Sequence, residues 1–218
     1  MSGAALAVAG LRVAIASVEV LRGVDLAARP GEMVGLVGRN GAGKTTTLRA
    51  IMGLVPTSSG NVSFGDADLT TLPTHRRAAL GIGYMPEDRR LVPQLTVEEN
   101  ILLPIWVTPG LDAPTRLAFV YGLVPEVAAM RGRKALLLSG GQQKLVALGR
   151  ALGIGTRCLL LDEPFEGIAP ALSERLSEVL ASLKGKDLTL LMSQSDMNHS
   201  RGLIDVEFTI ERGANLVN

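Results

Sequence analysis

The chain is short of the residues that several kinds of site require. It holds one cysteine, Cys158, so it has neither an internal disulfide framework nor the thiolates of a multi-cysteine zinc site. A lone cysteine suits a reducing compartment. The two histidines, His75 and His199, stand far apart without metal-ligand spacing and read as solvated surface. Aromatic residues make up 3%, and 22 basic residues face 21 acidic ones for a net charge of +1. A nucleic-acid surface needs a basic field and usually stacking rings, so that class of partner is not expected. No apolar run reaches the ~18 residues that span a bilayer. The alanine-rich start, Met1 to Gly10, lacks a basic n-region and runs on to Arg12 and Glu19, which reads as the approach to a strand rather than a signal peptide.

What is present is ample apolar material. Of the 218 residues, 47% are hydrophobic, enough for a substantial core and too many for a disordered chain. Leu11, Val13 and Ile15 alternate as in a strand. Short apolar runs at Met33–Val37, Ile82–Met85, Cys158–Leu161, Leu188–Met192 and Val206–Ile210 suit buried strands, and Asn61–Phe64 suits another. Helical spacing marks Thr45–Met52, Val97–Val107, Thr115–Gly122, Gly140–Leu152 and Ala171–Leu183. Strands alternate with helices, so the expected class is α/β with a mainly parallel sheet. The middle stretch, broken by Pro104, Pro109, Gly110 and Pro114, reads as short helices in a small lobe. Trp106, among Leu102, Leu103 and Ile105, is expected in that lobe's core, with contact to a membrane partner as the alternative, and Arg89-Arg90 is expected to be a solvated pair, with acidic groups on a partner as the alternative.

Three strings carry chemistry. Gly38-Arg39-Asn40-Gly41-Ala42-Gly43-Lys44-Thr45 fits a P-loop between a strand and a helix. Its glycines let successive N–H groups turn toward phosphate oxygens, and the helix start adds partial positive charge. Lys44 would neutralise the β- and γ-phosphates, and the Thr45 hydroxyl would bind Mg²⁺. Leu159-Leu160-Leu161-Asp162-Glu163 is an apolar strand ending in two carboxylates. Asp162 is placed to hold Mg²⁺, usually through water, and Glu163 to act as general base toward water. Leu138-Ser139-Gly140-Gly141-Gln142 is the most specific string, expected by chance in roughly one chain in a few thousand. It makes a second glycine-rich helix start, able to meet an anion, with Ser139 and Gln142 also forming a capping box. One nucleotide needs a single P-loop, so a second phosphate-binding helix start suggests a composite site.

P-loop, signature and Asp-Glu strand end, in this order, resemble the ATPase subunits of ABC transporters over nearly the whole chain. The resemblance implies a P-loop NTPase (RecA-like) fold over residues 1–218, with a small antiparallel β subdomain and a helical subdomain at about 87–152 that touches a membrane partner. It implies ATP and Mg²⁺, bound by Gly38 to Thr46 and completed by Ser139, Gly140, Gly141 and Gln142 of a second ATPase subunit, identical or not, facing head to tail. It also implies integral permease subunits, a place on the inner face of the cell membrane, and no nucleic acid. Leu21-Arg22-Gly23-Val24, Met85-Pro86-Glu87-Asp88-Arg89-Arg90, Leu95-Thr96-Val97-Glu98-Glu99-Asn100 and Glu166-Gly167-Ile168-Ala169-Pro170 are similar to the smaller ATPases of branched-chain amino acid importers, the LivF group. Urea importer ATPases look much the same.

Against the broad family pattern, the resemblance puts Ile15 where an aromatic stacks on adenine, a loss of part of ~1–3 kcal/mol of stacking. Glu87 stands where a glutamine senses Mg²⁺ and the γ-phosphate, Ala169 where an aspartate is usual, and Gln194 where a histidine contacts the γ-phosphate. The last three substitutions also occur in the LivF group. Two readings follow: an ATPase powering import of branched-chain amino acids or a related small polar solute, and a nucleotide-sensing, weakly hydrolytic partner of a second ATPase. An ABC ATPase of DNA repair or translation, which usually carries long inserts, is disfavoured, and so is a GTPase, since no Asn-Lys-x-Asp motif is present.

Overall fold

The structure is a computed structural model and describes residues 5–195 and 202–216. The expectation for His199 lies outside them. Strands β1 (Leu6–Ile15) and β2 (Val18–Ala28) form an antiparallel hairpin, which β4 (Ser59–Phe64) and β5 (Ala67–Asp68) extend to a four-stranded sheet in the order β2-β1-β4-β5. Strands β3 (Met33–Val37), β6 (Ile82–Met85), β7 (Cys158–Asp162), β8 (Thr189–Gln194), β9 (Val206–Glu211) and β10 (Ala214–Asn215) form a second sheet in the order β10-β9-β3-β8-β7-β6. All its pairings are parallel except β10 with β9. The helices are α1 (Lys44–Ile51), α2 (Thr74–Ala79), α3 (Val97–Trp106), α4 (Ala113–Leu123), α5 (Pro125–Ala129), α6 (Gly140–Ile154) and α7 (Pro170–Ala181), with a 3-10 turn at Ala135–Leu137.

The central strands β3, β6, β7 and β8 are largely apolar because both faces of their part of the sheet are covered. Leu159 and Leu161 of β7, with Leu190 and Met192 of β8, face a core shared with α3 to α7. Cys158 and Leu160, with Leu191 and with Val34 and Leu36 of β3, face the antiparallel sheet and α1. Burial pushes the Cys158 thiol up to about 12, so it behaves as the small hydrophobe its position in the strand implies.

Strand β2 escapes the sequence pattern because its alternation slips. Leu21 is buried, then Val24, Leu26 and Ala28, and the phase changes at Gly23, which has φ 117°. Strand β1 slips in the same way between Val8 and Leu11, where the register with β2 shifts. A bulge inserts one residue and moves every later side chain to the other face.

Two expectations fail. Trp106 is 60% exposed, with Leu103 and Val107 also exposed beside it. Helical spacing identifies a face of α3, and it is Val97, Ile101 and Ile105, with Leu102 at its edge, that enter the core shared with α4 and α6. Nor are Arg89 and Arg90 a solvated pair. Arg90 is exposed, but Arg89 donates to Gln143 Oε1 at 3.0 Å and encloses its own Nε without a hydrogen-bond partner among the described residues. Both residues have positive φ, and the Arg150 guanidinium holds their carbonyls at 2.5 and 2.6 Å.

Candidate nucleotide site

Parallel strands bring their carboxyl ends to one edge of the sheet, where open α/β sheets bind ligands. Here that edge gathers residues far apart in the chain. The P-loop leaves β3 beside the end of β8, with Gly38 N–H donating to Gln194 O at 3.2 Å. Asp162 lies opposite Ser193 in the β7–β8 register. Gly43 stands at the N-cap of α1 with φ 110°, and a Cβ there would lie 2.6 Å from Leu21 Cδ2. Glycine is therefore demanded twice, by conformation and by the hairpin packed on the loop. No side chain caps α1, so its first N–H groups face the cleft.

A cleft of about 380 Å³ opens in front of this helix start, lined by Val20, Asn40, Gly41, Gly43, Lys44, Thr45, Thr46, Glu87, Glu163 and Glu166. Lys44 and Glu163 form an ion pair at 2.9 Å, both side chains less than a tenth exposed. Lys44 Nζ also donates to Gly38 O at 2.7 Å, Arg39 O at 3.2 Å and Ser195 Oγ at 3.0 Å. Ser195 Oγ lies 2.6 Å from Glu163 Oε1 and 2.7 Å from Asn40 Oδ1, and its N–H donates to Glu163 Oε2 at 3.1 Å. Such a desolvated pair persists only with these extra hydrogen bonds.

Beside it, Asp162 is fully buried and accepts from Thr45 Oγ1 at 3.0 Å and Ser193 Oγ at 2.7 Å on one oxygen, and from the Tyr84 hydroxyl at 3.4 Å on the other. The Ser193 hydroxyl also takes the Glu163 N–H at 3.0 Å. Glu163 has φ 46°, left-handed for a non-glycine residue, a conformation worth on the order of 1–3 kcal/mol of strain and typical of functional turns. Glu87 is exposed at the rim. Its carboxyl is held above the usual range by partial burial and then by Asp162, Glu166, Glu163 and Asp88.

The donor chemistry fits Mg²⁺. A hydroxyl and a carboxylate stand adjacent at Thr45 and Asp162, and no three histidine, cysteine, aspartate or glutamate side chains among the described residues form a ready cage. An ion that keeps several waters and takes phosphate oxygens needs no more from the protein.

Not every candidate residue arrives here. Gly38 and Arg39 reach it only through the carbonyls that hold Lys44 and otherwise line a separate cavity with Thr209, Ile210, Glu211 and Leu216, and Ala42 is buried. Ile15 stands at the tip of the β1–β2 hairpin, 46% exposed, and the hairpin's contribution to the cleft lining is Val20. Gln194 is buried, its amide against the Met192 thioether at 3.0 Å, outside the lining. Ser139, Gly140, Gly141 and Gln142 form the outward start of α6, also outside the lining of this cleft. Ser193, Ser195, Val20, Tyr84 and Lys144 join the site without a motif to announce them, and Glu166 joins it from the start of a LivF-like string. Lys144, buried on α6, donates to Glu163 O at 2.7 Å and Glu166 O at 2.5 Å.

Comparison with known proteins places this arrangement. Residues 21–166 match the ABC transporter family model. An uncharacterised ABC transporter ATP-binding protein of Rhizobium meliloti is 36% identical over 94% of this chain and 76% of its own length. The lipopolysaccharide export system ATP-binding protein LptB of Escherichia coli is 32% identical over 89% of this chain and 81% of its own. The high-affinity branched-chain amino acid transport ATP-binding protein BraG of Pseudomonas aeruginosa is 32% identical over 90% and 84%. Among solved structures, a dimeric ATP-binding cassette in a post-hydrolysis state with ADP and Pi superposes with a TM-score of 0.86 at 23% identity, over 97% of each chain, which bears on the fold alone. With the P-loop, the Asp-Glu strand end and the signature helix in place on that fold, the chain belongs to the ABC transporter family as an ATP-binding, ATP-hydrolysing subunit.

Proposed function

We propose that this chain hydrolyses MgATP in a head-to-tail dimer and so powers an importer for branched-chain amino acids or a related small polar solute. The observation that carries the catalytic reading is the Lys44–Glu163 pair set beside Thr45–Asp162 at an uncapped helix start. In the resting cleft Lys44 neutralises Glu163. Entering phosphate offers Lys44 a stronger anion, so Lys44 turns to it and Glu163 is freed to take a proton from water. Thr45 and Asp162 would hold Mg²⁺, with Glu87 at the rim as a further oxygen donor, and the ion supplies charge neutralisation at the phosphates. Ser139, Gly140, Gly141 and Gln142 would close the cleft of the second subunit, whether that subunit is identical or not.

Residues 87–152 serve in this reading as the helical subdomain that meets a permease on the cytoplasmic face of the cell membrane. A groove of about 450 Å³ between Tyr84, Pro86, Leu103, Pro104 and Val107 supports that use, with Trp106 exposed next to it. No helix among the described residues is long and apolar enough to cross a membrane, so permease subunits would supply the pathway. The cargo rests on the four LivF-like strings and on BraG among the relatives, against which LptB is an export-system protein.

A second reading, a nucleotide-sensing partner that hardly hydrolyses, is favoured by Gln194 and Ile15 lying outside the cleft lining. Steady-state ATP hydrolysis against protein concentration, with Glu163→Gln as the blank, separates the two. Turnover above the blank that rises faster than linearly supports the dimeric ATPase. Bound ATP without turnover, in the presence of permease subunits, sinks it.

A further inference from the structure

Lys144 is a buried cation without a carboxylate in ion-pairing distance among the described residues. Its ammonium is spent instead on two carbonyls, those of Glu163 and Glu166. These are the ends of one tight turn, which the Glu166 N–H closes on Glu163 O at 3.2 Å. The turn begins at the left-handed Glu163, so the residue most in need of support is the one Lys144 holds. Burying an ammonium is costly, and its pKa falls to about 8, chiefly from desolvation and then from Arg89. A leucine or methionine would fill that space without the cost, so packing does not explain the choice.

Lys144 also lies in the early turns of α6, whose start is the signature string. The same helix start is pinned against α7, where a Cβ on Gly141 would lie 2.6 Å from Leu172 Cδ2. Base and signature helix are thereby tied together within one subunit.

We propose that Lys144 is a positioning residue: by holding the carbonyls at both ends of the Glu163–Glu166 turn it fixes the attitude of Glu163. The proposal rests on the reading of Glu163 as general base.

The test compares Lys144→Met, Lys144→Gln and Lys144→Arg with the unmodified full chain. In Lys144→Met, kcat should fall on the order of 10²-fold, the scale of a misplaced catalytic group, with the KM for ATP within about twofold. Lys144→Arg, which keeps two donors and the charge, should recover most of the loss. A Lys144→Met chain that keeps full kcat, or a Lys144→Arg chain that loses as much, overturns the positioning role. Where Lys144→Met fails to melt cooperatively, Lys144→Gln carries the same comparison. Hydrogen exchange of the nucleotide-free chain needs no turnover and so separates this inference from the functional reading. The Glu166 amide should exchange faster in Lys144→Met while the Leu160 amide of β7 does not, and equal rates at Glu166 overturn the proposal.

Discussion

The chain starts two helices with glycine-rich strings, and it treats them in opposite ways. Helix α1 opens at Gly43 with no side-chain cap, facing a cleft inside its own subunit. Helix α6 opens at Ser139, whose hydroxyl accepts from Gln142 N–H at 3.3 Å while Gln142 Oε1 accepts from Ser139 N–H at 3.1 Å. One end leaves its donors for a ligand. The other satisfies itself and faces outward. A serine cannot be moved to position 43, because its Cβ would meet Leu21 and its φ would be 110°. The bare end is thus enforced by packing of the antiparallel hairpin, not by the loop string alone. In the proposed reading the capped end would engage an anion by turning the Ser139 hydroxyl, and the capping box holds its shape when none is there.

The largest expected effect falls on the bare end. Glu163→Gln keeps the size of the side chain and removes the base, so turnover should drop by about 10²–10⁴-fold with ATP still bound. Unchanged turnover at matched ATP occupancy breaks the assignment of the base. Next comes Lys44→Ala. It removes the charge that would meet phosphate and leaves Glu163 buried beside Ser195 alone. A hydrogen bond from a charged group is worth about 1.5–3 kcal/mol, so ATP should bind roughly 10- to 150-fold more weakly. The orphaned carboxylate should also lower the nucleotide-free melting temperature, as breaking a buried pair costs about 3–5 kcal/mol. Titration calorimetry reads the first effect and thermal melting the second. A normal affinity would mean that the bare end holds phosphate through backbone N–H groups without its lysine.

These two ends also mark what a sequence can and cannot reveal. The P-loop, the Asp162-Glu163 strand end and the signature are contiguous strings and can be read as such, although packing from elsewhere in the chain completes the geometry of the first two. Ser193 and Ser195 reach Asp162, Glu163 and Lys44 only through the parallel register of β8 with β7 and β3, which no local pattern encodes. Gln194 reads as the residue for the γ-phosphate because it aligns with one. Strand alternation instead turns it into the interior and leaves its neighbour Ser195 at the tip. The bulge at Gly23 hides Val20, and Lys144 is hidden in a helix that reads simply as amphipathic. Trp106 shows the converse: spacing locates its helix but does not tell that the described residues leave it mostly exposed.

Smaller effects belong to the capped end and sharpen the contrast. Ser139→Ala removes the cap of α6 and should cost about 0.5–2 kcal/mol of folding stability. Because Ser139 lies outside the cleft lining, ATP affinity of the monomeric chain should stay unchanged, while turnover at concentrations that support the dimer should fall. A loss of affinity in the monomer would place the signature in its own subunit's cleft and erase the distinction between the two helix starts.

The smallest change is Gln142→Ala. It deletes the return bond of the capping box and leaves the Ser139 hydroxyl on the Gln142 backbone N–H. A net hydrogen bond is worth about 0.5–1.5 kcal/mol, and at a solvated helix end the low limit applies. The Ser139→Ala, Gln142→Ala double mutant closes the cycle. If the two side chains act as one box, the double mutant should lose less than the sum of the singles, since either deletion already disrupts the reciprocal pair. Strict additivity would mean that Ser139 caps alone. In that case Gln142 is free for the neighbouring cleft, and the capped end is closer in kind to the bare one than its geometry suggests.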